Sequence, residues 1–93
     1  MSITVRIPTI LRTYTGGASE VAVEPQPANL TGVLTALEAQ APGISARILD
    51  DNGRLRRFVN VFIDDEDVRF LSGLDTPIPE RTVVSVIPAV AGG

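Results

Sequence analysis

Apolar residues take every second position at the start of the chain: Ile3, Val5 and Ile7, with Thr4, Arg6 and Pro8 between them. A period of two places successive side chains on opposite faces of a strand, so the spacing predicts a strand within residues 2–11 with Ile3, Val5 and Ile7 inward. Pro8 has no N–H to give to a ladder and belongs at the strand's end or at a bulge. Residues 13–19, Thr-Tyr-Thr-Gly-Gly-Ala-Ser, read as a hairpin loop. Residues 20–24 alternate again, with Val21 and Val23 inward, until Pro25 and Pro27 stop the strand. The period then changes. Leu30, Val33, Leu34 and Leu37 follow the i, i+3, i+4, i+7 spacing of one helix face, Asn29 can cap its start, and Pro42-Gly43 ends it, which predicts a helix over 29–41. Gly32 inside it is expected to weaken the helix by about 1 kcal/mol relative to alanine.

Ile44 and Ile48 suit a further short helical turn, and Asp50-Asp51-Asn52-Gly53 a chain reversal. Residues 55–63 read as a strand with Val59, Val61 and Ile63 on one face and Phe58, Asn60 and Phe62 on the other. Large apolar groups on both faces imply a central strand or one that meets a partner. Of the two phenylalanines, one is expected in the core and one at an interface. Residues 66–70 can pair back briefly, and 71–80 form a loop with Leu74 and Ile78 tucked in. The last strand covers 82–88, with Val84 and Val86 inward and Ser85 and Ile87 outward. Strand, strand, helix, strand, short strand, strand is a two-layer α+β order. It matches the β-grasp, or ubiquitin-like, architecture: a mixed sheet of four to five strands, one main helix on one face, and the first and last strands parallel in the middle.

With 93 residues the chain makes one domain, and with 44% hydrophobic but only 4% aromatic residues its core must be aliphatic. Cysteine and histidine are both absent, which excludes disulfides, thiolate chemistry and the commonest zinc ligands, and removes the usual proton-transfer group near neutral pH. That argues against an enzyme acting alone. A net charge of −3 argues against general nucleic-acid binding. No signal peptide and no apolar run of about 20 residues is visible, so no membrane partner is expected and the compartment is expected to be the cytoplasm. All eight basic residues are arginine, so no side chain offers an amine to an activated acyl group. Asp64-Asp65-Glu66-Asp67 lacks the spaced ligands and glycine of a calcium loop and reads as a solvated turn. Arg54, Arg56 and Arg57 suit either a solvated strand edge or an acidic partner.

The chain ends Pro88-Ala89-Val90-Ala91-Gly92-Gly93. Pro88 suits a strand exit, and the two glycines, lacking Cβ atoms, allow backbone to enter a narrow channel with the terminal carbonyl open to attack. Residues 1–88 are therefore read as a domain and 89–93 as a flexible tail. Pro8, Ile87 and one of Phe58 and Phe62 are expected to form an apolar patch beside the tail's exit, joined by Pro88, Ala89, Val90 and Ala91 in partner binding.

The tail, together with Arg57-Phe-Val-Asn-Val-Phe-Ile-Asp-Asp-Glu-Asp-Val-Arg69 and Ser72-Gly-Leu-Asp-Thr-Pro77, resembles the bacterial ubiquitin-like sulfur carriers of the ThiS and MoaD type, most of all the branch serving cysteine biosynthesis. The similarity runs from Ile3 to Gly93. It implies that Gly93 is the reacting residue, seconded by Gly92, and that the carrier binds no cofactor. An adenylating sulfurtransferase would use ATP and magnesium to activate the Gly93 carboxylate, and sulfur would then displace AMP to leave a thiocarboxylate. The implied acceptor is a pyridoxal-phosphate cysteine synthase, followed by a metallopeptidase that frees cysteine. Related carriers serve molybdopterin, thiamin and thiosugar synthesis, and some ubiquitin-like proteins are joined to target lysines instead. Family members carry Gly-Asp where this chain has Arg81-Thr82, so the turn before the last strand is expected to differ in geometry.

Overall fold

The alternating start of the chain does form a strand, but a shorter one than the pattern spans. In the computed structural model, which describes residues 2–88, β1 (Ile3–Arg6) pairs antiparallel with β2 (Glu20–Val23), and Ile3, Val5 and Ile7 are all buried. Beyond Pro8 the chain leaves the sheet and winds into a 3₁₀ helix over Thr9–Thr15, where a hairpin loop was expected from residue 13 onward. Leu11 is the residue it buries, and Gly16, at φ 67, ends it in the left-handed conformation that glycine adopts without a steric penalty.

Asn29 caps α1 (Leu30–Gln40) as its sequence suggests, with its side-chain oxygen accepting the Gly32 N–H at 2.8 Å. Leu30, Val33, Leu34 and Leu37 line the buried side of the helix. Gly32 is buried beside them for a reason that helix propensity does not contain. A Cβ built there would lie 1.8 Å from the Pro27 carbonyl oxygen. The glycine is required by a close backbone approach. The short α2 (Ser45–Ile48) follows, with Ile44 and Ile48 fully buried.

The next strand starts four residues later than its apolar pattern. β3 covers Val59–Ile63, because the backbone just before it is engaged elsewhere: Arg56 N–H donates to Ile48 O, and Leu55 forms an isolated bridge with Leu49. β4 is only Glu66–Asp67, and the remainder of the expected short strand is a 3₁₀ turn over Val68–Phe70. The loop after it buries Ile78 and packs Leu74 against the core, as expected. β5 (Val83–Pro88) then runs parallel to β1 and antiparallel to β3, giving the sheet order β2-β1-β5-β3-β4. Val84 and Val86 face the helices and are buried. The first and last strands therefore lie side by side within the sheet, with the helices on one face.

The turn before β5 carries a backbone conformation that residues other than glycine seldom adopt. Arg81 has φ 65, so it takes the left-handed conformation in which a glycine would sit. Arginine can occupy that region only at a steric cost of roughly 1–2 kcal/mol, and the cost here is absorbed by the buried strand that follows.

Candidate functional site

The end of the sheet where β5 finishes is the candidate site. Each functional side chain there is set by strand register. Opposite Pro88 on β3 stands Val59, and opposite Ile87 stands Asn60; on the other side of β5, Arg6 of β1 stands opposite Ser85. Because Val84 and Val86 point into the core, Ser85 and Ile87 point to the outer face, and Ile87 is 48% exposed. A groove of about 280 Å³ runs between β1 and β5 at this end, lined by Arg6, Ile7, Pro8, Ile87 and Pro88 among others. Pro8 and Ile87, expected to share a patch, do line one groove.

The expectation for the phenylalanines needs correcting. Neither is in the core. Phe58 is 52% exposed just before β3, next to the Val59 that pairs with Pro88. Phe62 is half-buried on the outer face opposite Ser85, two residues along from the partner of Ile87. The β3 residues that enter the core are Val59, Val61 and Ile63, which already fill the inward positions. Both aromatic rings are thus left to the outer side of the sheet.

One contributor had no signal in sequence beyond its place in the resembling stretch. Arg69 folds back from the 3₁₀ turn and donates to Asn60 Oδ1 at 2.5 Å and to the Arg56 carbonyl at 2.6 Å, with a longer contact to the Arg57 carbonyl. Its own backbone N–H is held by the Asp67 carboxylate at 2.9 Å. The guanidinium therefore fixes the chain that leads into β3, and with it Phe58. Arg57 lies over the Phe58 ring at 6.0 Å. Arg56 donates through two of its nitrogens to the Ala46 carbonyl. Arg54, Arg56 and Arg57, read as either a solvated strand edge or a contact for an acidic partner, all lie outside the strands, so the strand-edge alternative does not hold.

The acidic turn is occupied by backbone donors. Asp64 sits at φ 55 and accepts the Val83 N–H at 3.1 Å, while Asp67 takes the Arg69 N–H. No group of three or more metal-ligating side chains occurs among the described residues, and no helix among them is long and apolar enough to cross a membrane. Away from the site, backbone and side-chain donors of Gly43 and Ser45 hold the Glu38 carboxyl below its ordinary pKa. Asp50 is held down by the backbone N–H groups of Arg54 and Asn52. Both are structural loop contacts. Ala89, Val90, Ala91, Gly92 and Gly93, to which the tail chemistry was assigned, lie outside the described residues.

One main helix over a mixed sheet, with the last strand running parallel beside the first, defines a ubiquitin-like β-grasp domain. The chain belongs to the ThiS family, whose model matches residues 5–93. It is 48% identical over 95 aligned residues to the sulfur carrier protein CysO of Mycobacterium tuberculosis, with the whole of both chains covered. It is 38% identical over 66 residues to small archaeal modifier protein 3 of Haloferax volcanii, covering 71% of each chain. Among solved structures, Mycobacterium tuberculosis CysO superposes with a TM-score of 0.88 at 47% identity, over 95% of this chain and 99% of that one. A chain of the Amycolatopsis orientalis BexX/CysO complex superposes with a TM-score of 0.87 at 43% identity, over 98% and 99%.

Proposed function

We propose that the domain is a sulfur carrier that acts as a protein co-substrate, with its catalysis supplied by partner enzymes. The observation that carries this reading is the 48% identity with the sulfur carrier protein CysO across both whole chains. The geometry is compatible with it, because a central strand held by neighbours on both sides brings Pro88 to the end of the sheet beside an exposed apolar surface. A terminal carboxylate with a pKa near 3.5 is ionised at neutral pH and is a poor electrophile. The adenylating partner therefore joins the Gly93 carboxylate to the α-phosphate of ATP, with magnesium assisting, and releases pyrophosphate. Sulfide then attacks the acyl carbon and expels AMP, which leaves a thiocarboxylate on Gly93. A persulfide donor would instead form an acyl disulfide, from which a second thiol of the donor enzyme releases the thiocarboxylate by forming a disulfide with the donor sulfur. Held covalently, that sulfur can be delivered to an acceptor without release of free sulfide. The acceptor we propose is a pyridoxal-phosphate cysteine synthase using O-phosphoserine, with a metallopeptidase removing cysteine from the carrier. The compartment is the cytoplasm.

Carrier-dependent ATP–pyrophosphate exchange by the cognate adenylating enzyme tests the activation step. Full exchange with a chain truncated before Gly92 would refute the assignment of Gly93.

Similarity to small archaeal modifier protein 3 favours a second reading, in which Gly93 is joined to lysines of other proteins. The last arginine is Arg81, so trypsin would leave on each target the twelve-residue remnant spanning residues 82–93. A lysate search that finds no such remnant removes this reading.

A further inference from the structure

We infer that the free edge of β2 is a latent pairing surface for the β2 of a second copy of this chain, and that Gln40 holds it closed. Among the described residues no strand lies beyond β2, which ends the sheet on that side. In its antiparallel ladder with β1, Val21 stands opposite Val5, and the Ile7 N–H donates to Ser19 O at 2.8 Å. The odd-numbered residues of β2 therefore turn their backbone groups toward β1, and the even-numbered Glu20 and Ala22 turn theirs to the open side. Ala18, just before the strand, does the same. An open row of this kind is a template for another strand. Side chains already occupy it here. Gln40, the last residue of α1, donates from Nε2 to Ala22 O at 2.7 Å, and Thr15 donates from Oγ1 to Ala18 O at 2.8 Å.

The charges on the edge select how a copy can pair. With Glu20 opposite Glu20 of the second copy, or opposite its Glu24, like charges would meet directly across the ladder, which is destabilising. With Glu20 opposite Ala22 of the second copy, and Ala22 opposite its Glu20, each pair exchanges both hydrogen bonds and the two-fold axis passes beside Val21. Val21 is half-buried on the helix side of the sheet, packed against the core. A groove of about 330 Å³ lies beside it, lined by Ala18, Val21, Gln40 and Ala41 among others, and gives the Val21 of the second copy apolar surface to meet. Two-fold pairing in this register needs Ala22 O, the atom that Gln40 takes. A strand of four residues is too short to bury by itself the roughly 1,200 Å² of a stable interface, so one side-chain bond can tip the balance. The net charge of −3 on each copy opposes contact further. The full chain is monomeric while Gln40 is in place.

The test compares the full chain with Gln40→Ala by sedimentation equilibrium up to millimolar concentration. Gln40 is exposed at the end of α1, so the variant should melt as the parent does. One net hydrogen bond is worth about fivefold in an equilibrium and each dimer releases two, so Gln40→Ala should raise the association constant roughly 30-fold. Gln40→Leu, which keeps bulk without a donor, should act in the same direction. Added salt should strengthen the dimer by screening the like net charges. Adding Ala22→Pro to Gln40→Ala removes an outward N–H that β1 does not use and should restore the monomer. Register is read by Val21→Cys, because the chain has no other cysteine. A directly opposed pair of this kind stands about 4.5 Å apart at Cα, within disulfide range. Oxidation should link Val21→Cys chains faster with Gln40→Ala than with Gln40 retained. A parent chain already dimeric, an association constant unchanged by Gln40→Ala, a dimer that survives Ala22→Pro, or cross-linking indifferent to residue 40 would each overturn the proposal.

Discussion

Gly32 and Arg81 show how far a residue's meaning depends on what the fold brings near it. Local propensity says that Gly32→Ala should stabilise α1 by about 1 kcal/mol. The 1.8 Å approach of a Cβ to the Pro27 oxygen says the opposite. Backbone cannot move aside as a side-chain tip can, so we expect Gly32→Ala to lower stability by about 2 kcal/mol or more, read by thermal melting. Arg81 is the converse case. Glycine ordinarily loosens a chain, but at φ 65 it relieves a steric cost that exceeds its added unfolded-state entropy. Arg81→Gly should leave the protein as stable or up to about 1 kcal/mol more so, and a clear loss by denaturant titration would contradict this. Glu38 has a pH signature. Its carboxyl is held below the ordinary value of 4.5 by the Gly43 and Ser45 donors, so the contribution to stability is present above that pH and fades as acid protonates the folded form. In Glu38→Gln the melting temperature should fall less steeply below about pH 4.5 than in the parent.

At the scale of elements, the parts with a clean period were legible and the parts without one were not. The positions Ile3, Val5 and Ile7, the Leu30–Val33–Leu34–Leu37 face and the inward pair Val84 and Val86 all landed where their spacing put them, because burial on one face enforces a period. The 3₁₀ helix over Thr9–Thr15 was missed: a single buried residue, Leu11, leaves no repeat to detect. β3 is shorter than the 55–63 expected, because the backbone before Val59 is engaged by Ile48 and by the Arg69 side chain. Only the assembled fold reveals that competition. The patch at the sheet's end was partly legible, in Pro8 and Ile87, whereas Arg69 acts across a fold-back that no local pattern encodes. The facing of β5 can be tested by a pair of variants. Ile87→Asp should fold with nearly unchanged stability yet weaken binding to the adenylating partner by more than about 2 kcal/mol. Val86→Asp, which puts a charge in the core, should prevent folding. Similar melting of the two variants would contradict the register.

At the scale of the molecule, the sheet is a rigid holder whose central strand ends at Pro88, and the two elements that support that strand, β1 and β3, also carry the residues around the exit. The terminal Gly92-Gly93 pair, to which the sequence assigns the chemistry, lies outside the described residues. Residues 2–88 hold no cysteine, histidine or lysine. The central claim is that Gly93 carries sulfur, and intact-protein mass spectrometry after incubation with the adenylating enzyme, ATP, magnesium and sulfide tests it most directly. The account predicts a mass increase equal to the exchange of one oxygen for sulfur, confined to the C-terminal fragment and absent when ATP is omitted. An unchanged mass with an enzyme that does adenylate the carrier, or sulfur found at any other position, would contradict it.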